Sequence, residues 1–328
     1  MPTSFLPSRI TRYLSFVILS FVIPARTGLL AVCLLVFAQQ AALHAQQDIF
    51  IPERPGQTWG TDLAAPGFLH FEAGVLLERA SFTPKRADGS LAGGEVYRHT
   101  VWQLPAFMLR LGVTDHLEVR LASQYKRFQW RLDPVYFHGE NAGTPMEENR
   151  NSGIDVLNIG LKTRLTSEDG PLPQSALIVS LALPGLSSSI YDIAQPAPDI
   201  ALGFSHTLAS DLHLGYCAGL SWDGWTAVPV AYASTMLTID LDGAMSLFAE
   251  YGLQSSYHAP VLHFADAGLV YNVSDRFVLD AWAGFGIGDP QSSSPSPAYS
   301  SIYRPDLFIG AGASWRLTAF GGSARSRL

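Results

Sequence analysis

The chain is rich in apolar residues, yet beyond its N-terminus it has no apolar run long enough to cross a membrane as a helix. Hydrophobic residues make up 48% of the 328 residues and charged residues only 15%, against roughly 25% charged in ordinary soluble domains. A spanning helix needs about 20 predominantly apolar residues. The other structure that satisfies every backbone N–H and C=O group in lipid is a closed β-barrel. The composition therefore favours such a barrel.

From residue 67 to residue 317 the chain repeats segments in which apolar and polar side chains alternate. In one of them Leu117, Val119 and Leu121 alternate with Glu118 and Arg120. Successive residues of a strand face opposite ways, so each segment is predicted to be a strand with one apolar face. A soluble β-sandwich would alternate too, but these segments exceed its usual length of about five or six residues. They approach the roughly nine to eleven residues of a tilted transmembrane strand, and aromatic residues near their ends resemble the girdles of outer-membrane barrels.

The connections between segments alternate in length. Every second connection is a short turn, and three of these turns carry a Ser/Thr-Asp pair, whose side chains cap tight turns. The other connections are mostly longer, notably 80–94, 131–152, 187–198 and 289–305. Outer-membrane barrels have an even number of strands, short periplasmic turns and longer external loops, so both ends of the barrel are predicted to be periplasmic. About twelve segments start near Gly67, Glu95, His116, Gly153, Gln174, Asp199, Leu212, Val228, Gly243, Val261, Arg276 and Asp306.

Residues 1–45 have the composition of a targeting segment. They carry Arg9, Arg12 and Arg26 without any acidic residue, and an apolar run then ends at an Ala-x-Ala-like site at Ala45. This layout predicts a signal peptide that is cleaved on export, with an N-terminal anchor helix as the alternative. The net charge of −7 becomes more negative when these arginines are removed, which argues against nucleic acid as a partner.

The proline-containing segment 46–66, termed the leader, precedes the first strand. Two interpretations stay open for it. It is either a plug or strap inside the lumen, with Arg54 and Trp59 as contacts, or a flexible periplasmic segment. The barrel is predicted to span residues 67–318, and residues 319–328 form a C-terminal tail.

Several short motifs follow one another along residues 52–317. They are Arg54-Pro55, Pro66-Gly67, Phe71-Glu72, the run Leu-Arg-Leu-Gly-Val-Thr-Asp-His-Leu-Glu-Val-Arg at 109–120, Gly160-Leu161-Lys162, Glu250-Tyr251-Gly252, Asp266 with Gly268, Leu279-Asp280 and Ser314-Trp315-Arg316-Leu317. In this order they resemble the outer-membrane "transporter" barrels of the MetA pathway of phenol degradation. The resemblance implies a monomeric barrel with a role in the passage of aromatic or other apolar compounds. The chain departs from many outer-membrane barrels at its end, where residues 318–328 replace a terminal aromatic residue.

Ionisable residues on the polar faces are the candidate functional set. They either line a polar pore and orient a solute, or pair with one another to fill a narrow barrel, since charges inside a barrel are paired or solvated. The interleaving of both signs favours a paired network over a selective ring of one sign. The set consists of Glu72, Arg110, Glu118, Arg120, Lys162, Arg164, Glu250, Asp266, Arg276, Asp280 and Arg316.

The sequence predicts no enzyme, cofactor or metal site. Ser205-His206 is the only suggestive nucleophile–base pair, but alternation sends the two side chains to opposite faces. The histidines are too dispersed for a metal site, and the Gly284–Gly288 run lies within a strand, unlike a nucleotide-binding loop.

The expected fold is all-β, a transmembrane antiparallel up-and-down barrel in the bacterial outer membrane. The expected function is passive or gated transport of small, aromatic or apolar molecules, with outer-membrane lipid and an unidentified solute as partners. One alternative is a structural or adhesive barrel that binds partners through its loops, chiefly residues 131–152. The other is a lipid-modifying outer-membrane enzyme.

Overall fold

The computed structural model describes residue 50 and residues 52–54, 56–82, 95–134, 147–256, 261–288 and 305–320. Within these ranges the chain forms one sheet of thirteen strands. The strands are β1 (Phe68–Phe82), β2 (Glu95–Thr114), β3 (Leu117–Pro134), β4 (Glu147–Ile154), β5 (Leu157–Thr166), β6 (Gln174–Leu183), β7 (Ala197–Ala209), β8 (Leu212–Ser221), β9 (Val230–Asp240), β10 (Met245–Ser256), β11 (Leu262–Ser274), β12 (Phe277–Ile287) and β13 (Leu307–Thr318).

The first and last strands pair with each other and close the sheet. Glu72 of β1 lies opposite Met108 of β2 on one side and opposite Ser314 of β13 on the other. β3 pairs with both β4 and β5, and these two strands are separated only by Asp155 and Val156. β4 and β5 are therefore two halves of one barrel strand. The result is a closed antiparallel barrel of twelve strands, which confirms the predicted fold class and strand number.

The strand positions follow the predicted segments except at the fourth. That segment was expected to start near Gly153, but β4 begins at Glu147 and β3 continues to Pro134, so the hairpin enters the range predicted as loop 131–152. Both faces of β4 are polar here, with Glu148 and Arg150 on one face and Asn149 and Asn151 on the other, so alternation no longer marks it as a strand. Residues 135–146 of the predicted partner-binding loop lie outside the described residues.

The connections divide the barrel into two ends. At one, termed the turn end, residues 115–116, 210–211 and 275–276 link neighbouring strands. The start of β1 and the end of β13 lie there too, since Phe68 pairs with Thr318. The opposite end is termed the loop end.

The outward face of the strands is apolar. Val119, Leu161, Ile200, Leu269 and Ile309 come from five different strands and are between 39% and 50% exposed. An exposed apolar band of this kind is what lipid covers in an outer-membrane barrel. The described residues contain no helix that is long and apolar enough to cross a membrane.

The substitution Leu161→Arg should lower the free energy of unfolding by about 2–4 kcal/mol, because a charge on the lipid-facing surface is costly near the bilayer midplane. Leu165 lies on the same face of β5 but next to the turn end, so Leu165→Arg should cost only about 0–1 kcal/mol. Urea unfolding of the barrel in lipid vesicles measures both values. Equal costs at the two positions would contradict the assignment of this face to lipid.

Candidate functional site

The described part of the leader lies inside the barrel. It begins at the turn end, where the ring of Phe50 meets His70 of β1 edge-on, with 4.3 Å between ring centroids. It reaches the wall at Glu250 of β10, which accepts two hydrogen bonds from it. It then returns to β2, where the Gly67 N–H donates to the Gly112 carbonyl at 2.9 Å. The leader therefore contacts walls on different sides of the lumen.

The carboxylate of Glu53 is the ionic centre of the leader. Its Oε1 lies 2.6 Å from Nη2 of Arg120 and 3.6 Å from Nη2 of Arg110, and it also pairs with the ammonium group of Lys162. The four side chains are no more than 5% exposed. The three cations come from β2, β3 and β5, so one leader carboxylate joins three strands.

Glu53 stays ionised in this environment. Burial by itself raises the pKa of its carboxyl, because a charged carboxylate loses its hydration. The charges of Arg120, Lys162 and Arg110 outweigh burial and hold the pKa well below its ordinary value of 4.5. The electrostatic tie between leader and wall is therefore fully formed at neutral pH.

Two carboxylates of the wall complete this network. Glu118 lies 2.9 Å from Nε of Arg110 and 2.7 Å from Nε of Arg120. Glu72 lies 2.9 Å from Nη1 of Arg110. The wall alone holds three cations and two carboxylates here, and Glu53 supplies the third negative charge. Removing one partner from such a buried group leaves an uncompensated charge, so the barrel and the leader depend on each other electrostatically.

The same side chains bind the backbone of the leader. The carbonyl of Asp62 accepts hydrogen bonds from Arg110 at 2.9 Å and from Lys162 at 2.8 Å. The N–H of Ala64 donates to Glu118 at 2.6 Å. Buried backbone groups need such partners. The wall side chains supply them to the leader, which forms no strand pairing of its own over its described residues.

On β10, Glu250 holds the leader through neutral donors. It accepts hydrogen bonds from the backbone N–H of Gln57 at 2.8 Å and from the hydroxyl of Thr58 at 2.6 Å. That hydroxyl is also 2.7 Å from Ser234 of β9. Asp266 lies opposite Glu250 in the β10–β11 ladder, and both carboxyl side chains are buried.

Trp59 joins the leader to a third part of the wall. Its indole N–H donates to the Tyr232 hydroxyl at 3.2 Å, and that hydroxyl donates to Asp199 at 2.9 Å. The guanidinium carbon of Arg120 lies 5.3 Å from the centroid of the indole ring. The ring thus combines a hydrogen bond at its edge with a cation–π contact on its face.

Close approach of the leader to β2 depends on glycine at position 112. A Cβ atom there would overlap the backbone carbonyl oxygens of Ala64 and Ala65. Gly215 on β8 also faces the leader, but a Cβ there would lie 3.7 Å from its nearest neighbour, Thr58 Cγ2. Only the first position requires the absence of a side chain.

Three cavities of about 530, 420 and 240 Å³ lie between the leader and the loop end. The two larger ones share Trp59, Asp199 and Trp222 as lining residues. Met108 of β2 borders all three. The three neighbouring cavities are together termed the vestibule, and the leader lines its floor.

The predicted ionisable residues fall into several groups. Glu72, Arg110, Glu118, Arg120 and Lys162 are brought together around the leader, as described above. The others are distributed around the wall: Glu250 faces Asp266, Asp280 lies 3.6 Å from Arg54, Arg164 lies near the turn end of β5, and Arg316 lies 4.9 Å over the Phe68 ring. Arg276 does not join the lumen set, because it lies in the β11–β12 turn with its side chain 69% exposed.

Sequence reasoning missed several residues that hold the leader. Glu53 and Asp62 lie outside any alternating segment, so periodicity gives them no face. Asp199 and Tyr232 lie inside predicted strands. The alternation of apolar and polar residues does not show that they meet, because β8 lies between their strands. The available signal for Glu53 was local: an acidic residue beside Arg54 in a proline-containing segment that precedes a barrel with buried cations.

Ser205 and His206 do not form a nucleophile–base pair. The Ser205 hydroxyl is 2.7 Å from the hydroxyl of Thr61 in the leader. The His206 ring stacks on Tyr216 at 6.1 Å between centroids. The two side chains therefore have separate surroundings, as their alternation along β7 predicts.

Comparison with solved structures finds outer-membrane barrels that resemble this chain, whereas comparison of its sequence with protein families and curated proteins finds no match. A COG4313 outer membrane channel from Pseudomonas putida F1 has 9% sequence identity and a TM-score of 0.56, with 80% of this chain and 99% of that chain covered. The translocator domain of the autotransporter NalP from Neisseria meningitidis has 12% identity, coverage of 78% and 91%, and a TM-score of 0.46. The Ralstonia pickettii toluene transporter TbuX has 9% identity, coverage of 77% and 90%, and a TM-score of 0.42.

The fold and the first of these likenesses define the class of the protein. It is an outer-membrane type of β-barrel with twelve antiparallel strands. Inside the barrel, a leader is bound to the lumen wall by ion pairs, hydrogen bonds and close backbone packing.

Gly112→Ala should expel the leader from its position on β2, because the new methyl group overlaps two carbonyl oxygens. Gly215→Ala is the matched control and should leave the leader in place, since its methyl group reaches only ordinary contact distance. The rate at which a nonspecific protease cleaves the leader in the folded barrel measures the difference. Equal cleavage rates in the two variants would contradict the described path.

Glu53→Gln should weaken binding of the leader to the wall by about 3–5 kcal/mol at neutral pH, the usual cost of removing one partner from a buried ion pair. The lowered pKa of Glu53 belongs to the bound state, so its stabilisation is present above the ordinary pKa of 4.5. It is lost as the pH falls through the lowered value.

Hydrogen exchange of the leader amides, corrected for intrinsic rates, measures this contribution as a function of pH. The gap between the original chain and Glu53→Gln should begin to shrink as the pH falls below the ordinary pKa of 4.5, and it should keep shrinking toward the lowered pKa. Glu148→Gln is the control, because Glu148 forms an exposed pair with Arg150 at 2.7 Å. A gap that does not change with pH would rule out the charge of Glu53 as its cause.

Proposed function

We propose that the protein is an outer-membrane channel for the passive or gated passage of small, aromatic or otherwise partly apolar molecules. In this proposal the leader is the plug that controls passage. Residues 1–45 direct export and are removed, which N-terminal sequencing of protein from isolated outer membranes would test.

The observation that supports this proposal most directly is the position of the leader below the vestibule. The vestibule offers cavities of about 530 and 420 Å³, while the leader occupies the lumen beneath them. The leader is held by noncovalent interactions of individual side chains, such as the ion pairs of Glu53 and the hydrogen bond between Thr58 and Glu250. Such interactions can break and form again without loss of the hydrogen bonds between the barrel strands.

The chemistry of the wall supports small solutes with an apolar part. Trp59, Met108 and Trp222 line the vestibule beside polar side chains, and ligand sites typically combine an apolar wall with few polar groups. The buried charges of the lumen have both signs, so they do not form a selective ring of one charge. The resemblance to the phenol-pathway barrels and the likeness to the Pseudomonas channel point to the same class of function.

Glu53→Gln should raise the open probability of the channel in a planar bilayer. A loss of about 1.4 kcal/mol in leader binding changes the ratio of bound to released leader about tenfold, so even a fraction of the expected loss should be visible. Single-channel recording of the folded chain at neutral pH gives the measurement. Compact, heat-modifiable migration on a gel confirms folding first.

Glu148→Gln provides the matched control, since it makes the same chemical change in an exposed pair near the loop end. It should leave the open probability unchanged. A second variant, Glu53→Gln with Trp59→Ala, removes two separate ties of the leader. If both leader variants fold and neither conducts or passes a small solute into vesicles, the channel proposal fails.

A further inference from the structure

We propose that the vestibule binds a small organic cation, an ammonium group carried on an aromatic or apolar body, with the ammonium group at Asp199. The inference rests on the proposed function, because it names a solute class for the same lumen. Binding itself requires no passage, so the two proposals can be tested separately.

The vestibule carries an excess of negative charge. Each of its two larger cavities is lined by one cation and three carboxylates. The cations are already paired, Arg54 with Asp280 at 3.6 Å and Arg120 with Glu53 at 2.6 Å. Glu53 is also paired, with three cations, so the excess charge comes from the aspartates. The charged lining residues are Glu53, Arg54, Asp199 and Asp223 in the larger cavity, and Arg120, Asp155, Asp199 and Asp223 in the second.

Asp199 differs from the other carboxylates of the vestibule in its partners. Asp155 lies 3.6 Å from the ammonium group of Lys126. Asp223 accepts the backbone N–H groups of its own turn. Asp199 accepts a hydrogen bond from the Tyr232 hydroxyl at 2.9 Å and another from Ser221. Like Asp223 and unlike Asp155, it forms no ion pair within the described part of the chain. It is therefore a half-buried carboxyl group that lines both larger cavities, and a cationic ligand would neutralise its ionised form.

Aromatic side chains line the same cavities as this carboxylate. Trp59 and Trp222 line both larger cavities, and Tyr232 lies between Trp59 and Asp199. The face of a tryptophan attracts a cation, with an energy that grows as the site loses water. The contact of Arg120 with Trp59 already uses one such ring in this way. A cavity lined by a carboxylate and by tryptophan side chains suits an ammonium group together with the apolar body that carries it.

The size and the donor set favour an organic cation over a bare metal ion. The larger cavity, at about 530 Å³, lies within the roughly 300–1,000 Å³ typical of small-molecule sites. Calcium takes about six to eight oxygen ligands and magnesium about six. Asp199 is a single carboxylate with aromatic neighbours, which is a poor cage for such ions.

Titration calorimetry on the full chain, folded in detergent at neutral pH, tests the site with two matched probes. Benzylammonium carries the proposed charge, and benzyl alcohol has nearly the same shape without it. Benzylammonium should bind more tightly than benzyl alcohol. Asp199→Asn should raise the dissociation constant of benzylammonium about tenfold or more. The reason is that a hydrogen bond to an ionised acceptor has roughly twice the energy of one to a neutral acceptor. The same substitution should change the binding of benzyl alcohol less than about twofold.

Asp211→Asn is the control variant, since it removes one negative charge from an exposed turn at the other end of the barrel. It should leave both dissociation constants unchanged. Failure of benzylammonium to bind, or equal weakening by Asp199→Asn and Asp211→Asn, would overturn the proposed site. Equal effects of Asp199→Asn on both probes would do so too, because the charge would then play no part.

The outcomes separate this inference from the channel proposal. Charge-dependent binding in a protein whose leader variants never conduct would leave the site standing and remove the channel function. If the leader variants conduct but binding does not depend on charge, the channel function stands and the proposed cation site is removed.

Discussion

In lipid, a backbone donor or acceptor without a partner costs several kcal/mol, and no water is present to replace the missing partner. The pairing of β1 with β13 removes the last open edge of the sheet, and the remaining features of the molecule follow from that closure. A closed ladder fixes which side chains face the lipid and which face the lumen. It also commits the chain to an interior whose polar side chains must find partners within the barrel.

The leader supplies part of what that interior lacks. The barrel wall carries three cations, Arg110, Arg120 and Lys162, but only two carboxylates lie near them on the wall. Glu53 of the leader adds the third carboxylate. The backbone of the leader in turn gains partners from the same arginine and lysine side chains. The wall and the leader are thus each incomplete without the other. This mutual dependence explains how a segment without regular secondary structure holds a defined path through the lumen.

The leader also gives the two ends of the lumen different properties. Toward the turn end it packs closely, down to the contact that requires glycine at position 112. Toward the loop end it leaves the vestibule, with aromatic and acidic side chains around Asp199. A ligand in either of the two larger cavities would therefore touch Trp59 of the leader itself. The proposed plug and the proposed site for organic cations share this residue, which links recognition of a solute to the segment that controls its passage.

The sequence by itself determined the all-β class, the twelve strands and the assignment of apolar and polar faces, because a period of two survives in each strand regardless of its partners. It missed the start of β4 because alternation disappears where both faces are polar. It also put Arg276 in the lumen, although a turn residue one position before a strand has no fixed face. Only the tertiary structure decided the path of the leader, the meeting of Glu53 with three strands, and the placing of Asp199 beside Tyr232. These contacts join residues far apart in the chain, and they depend on the curvature and closure of the barrel, which no local pattern encodes.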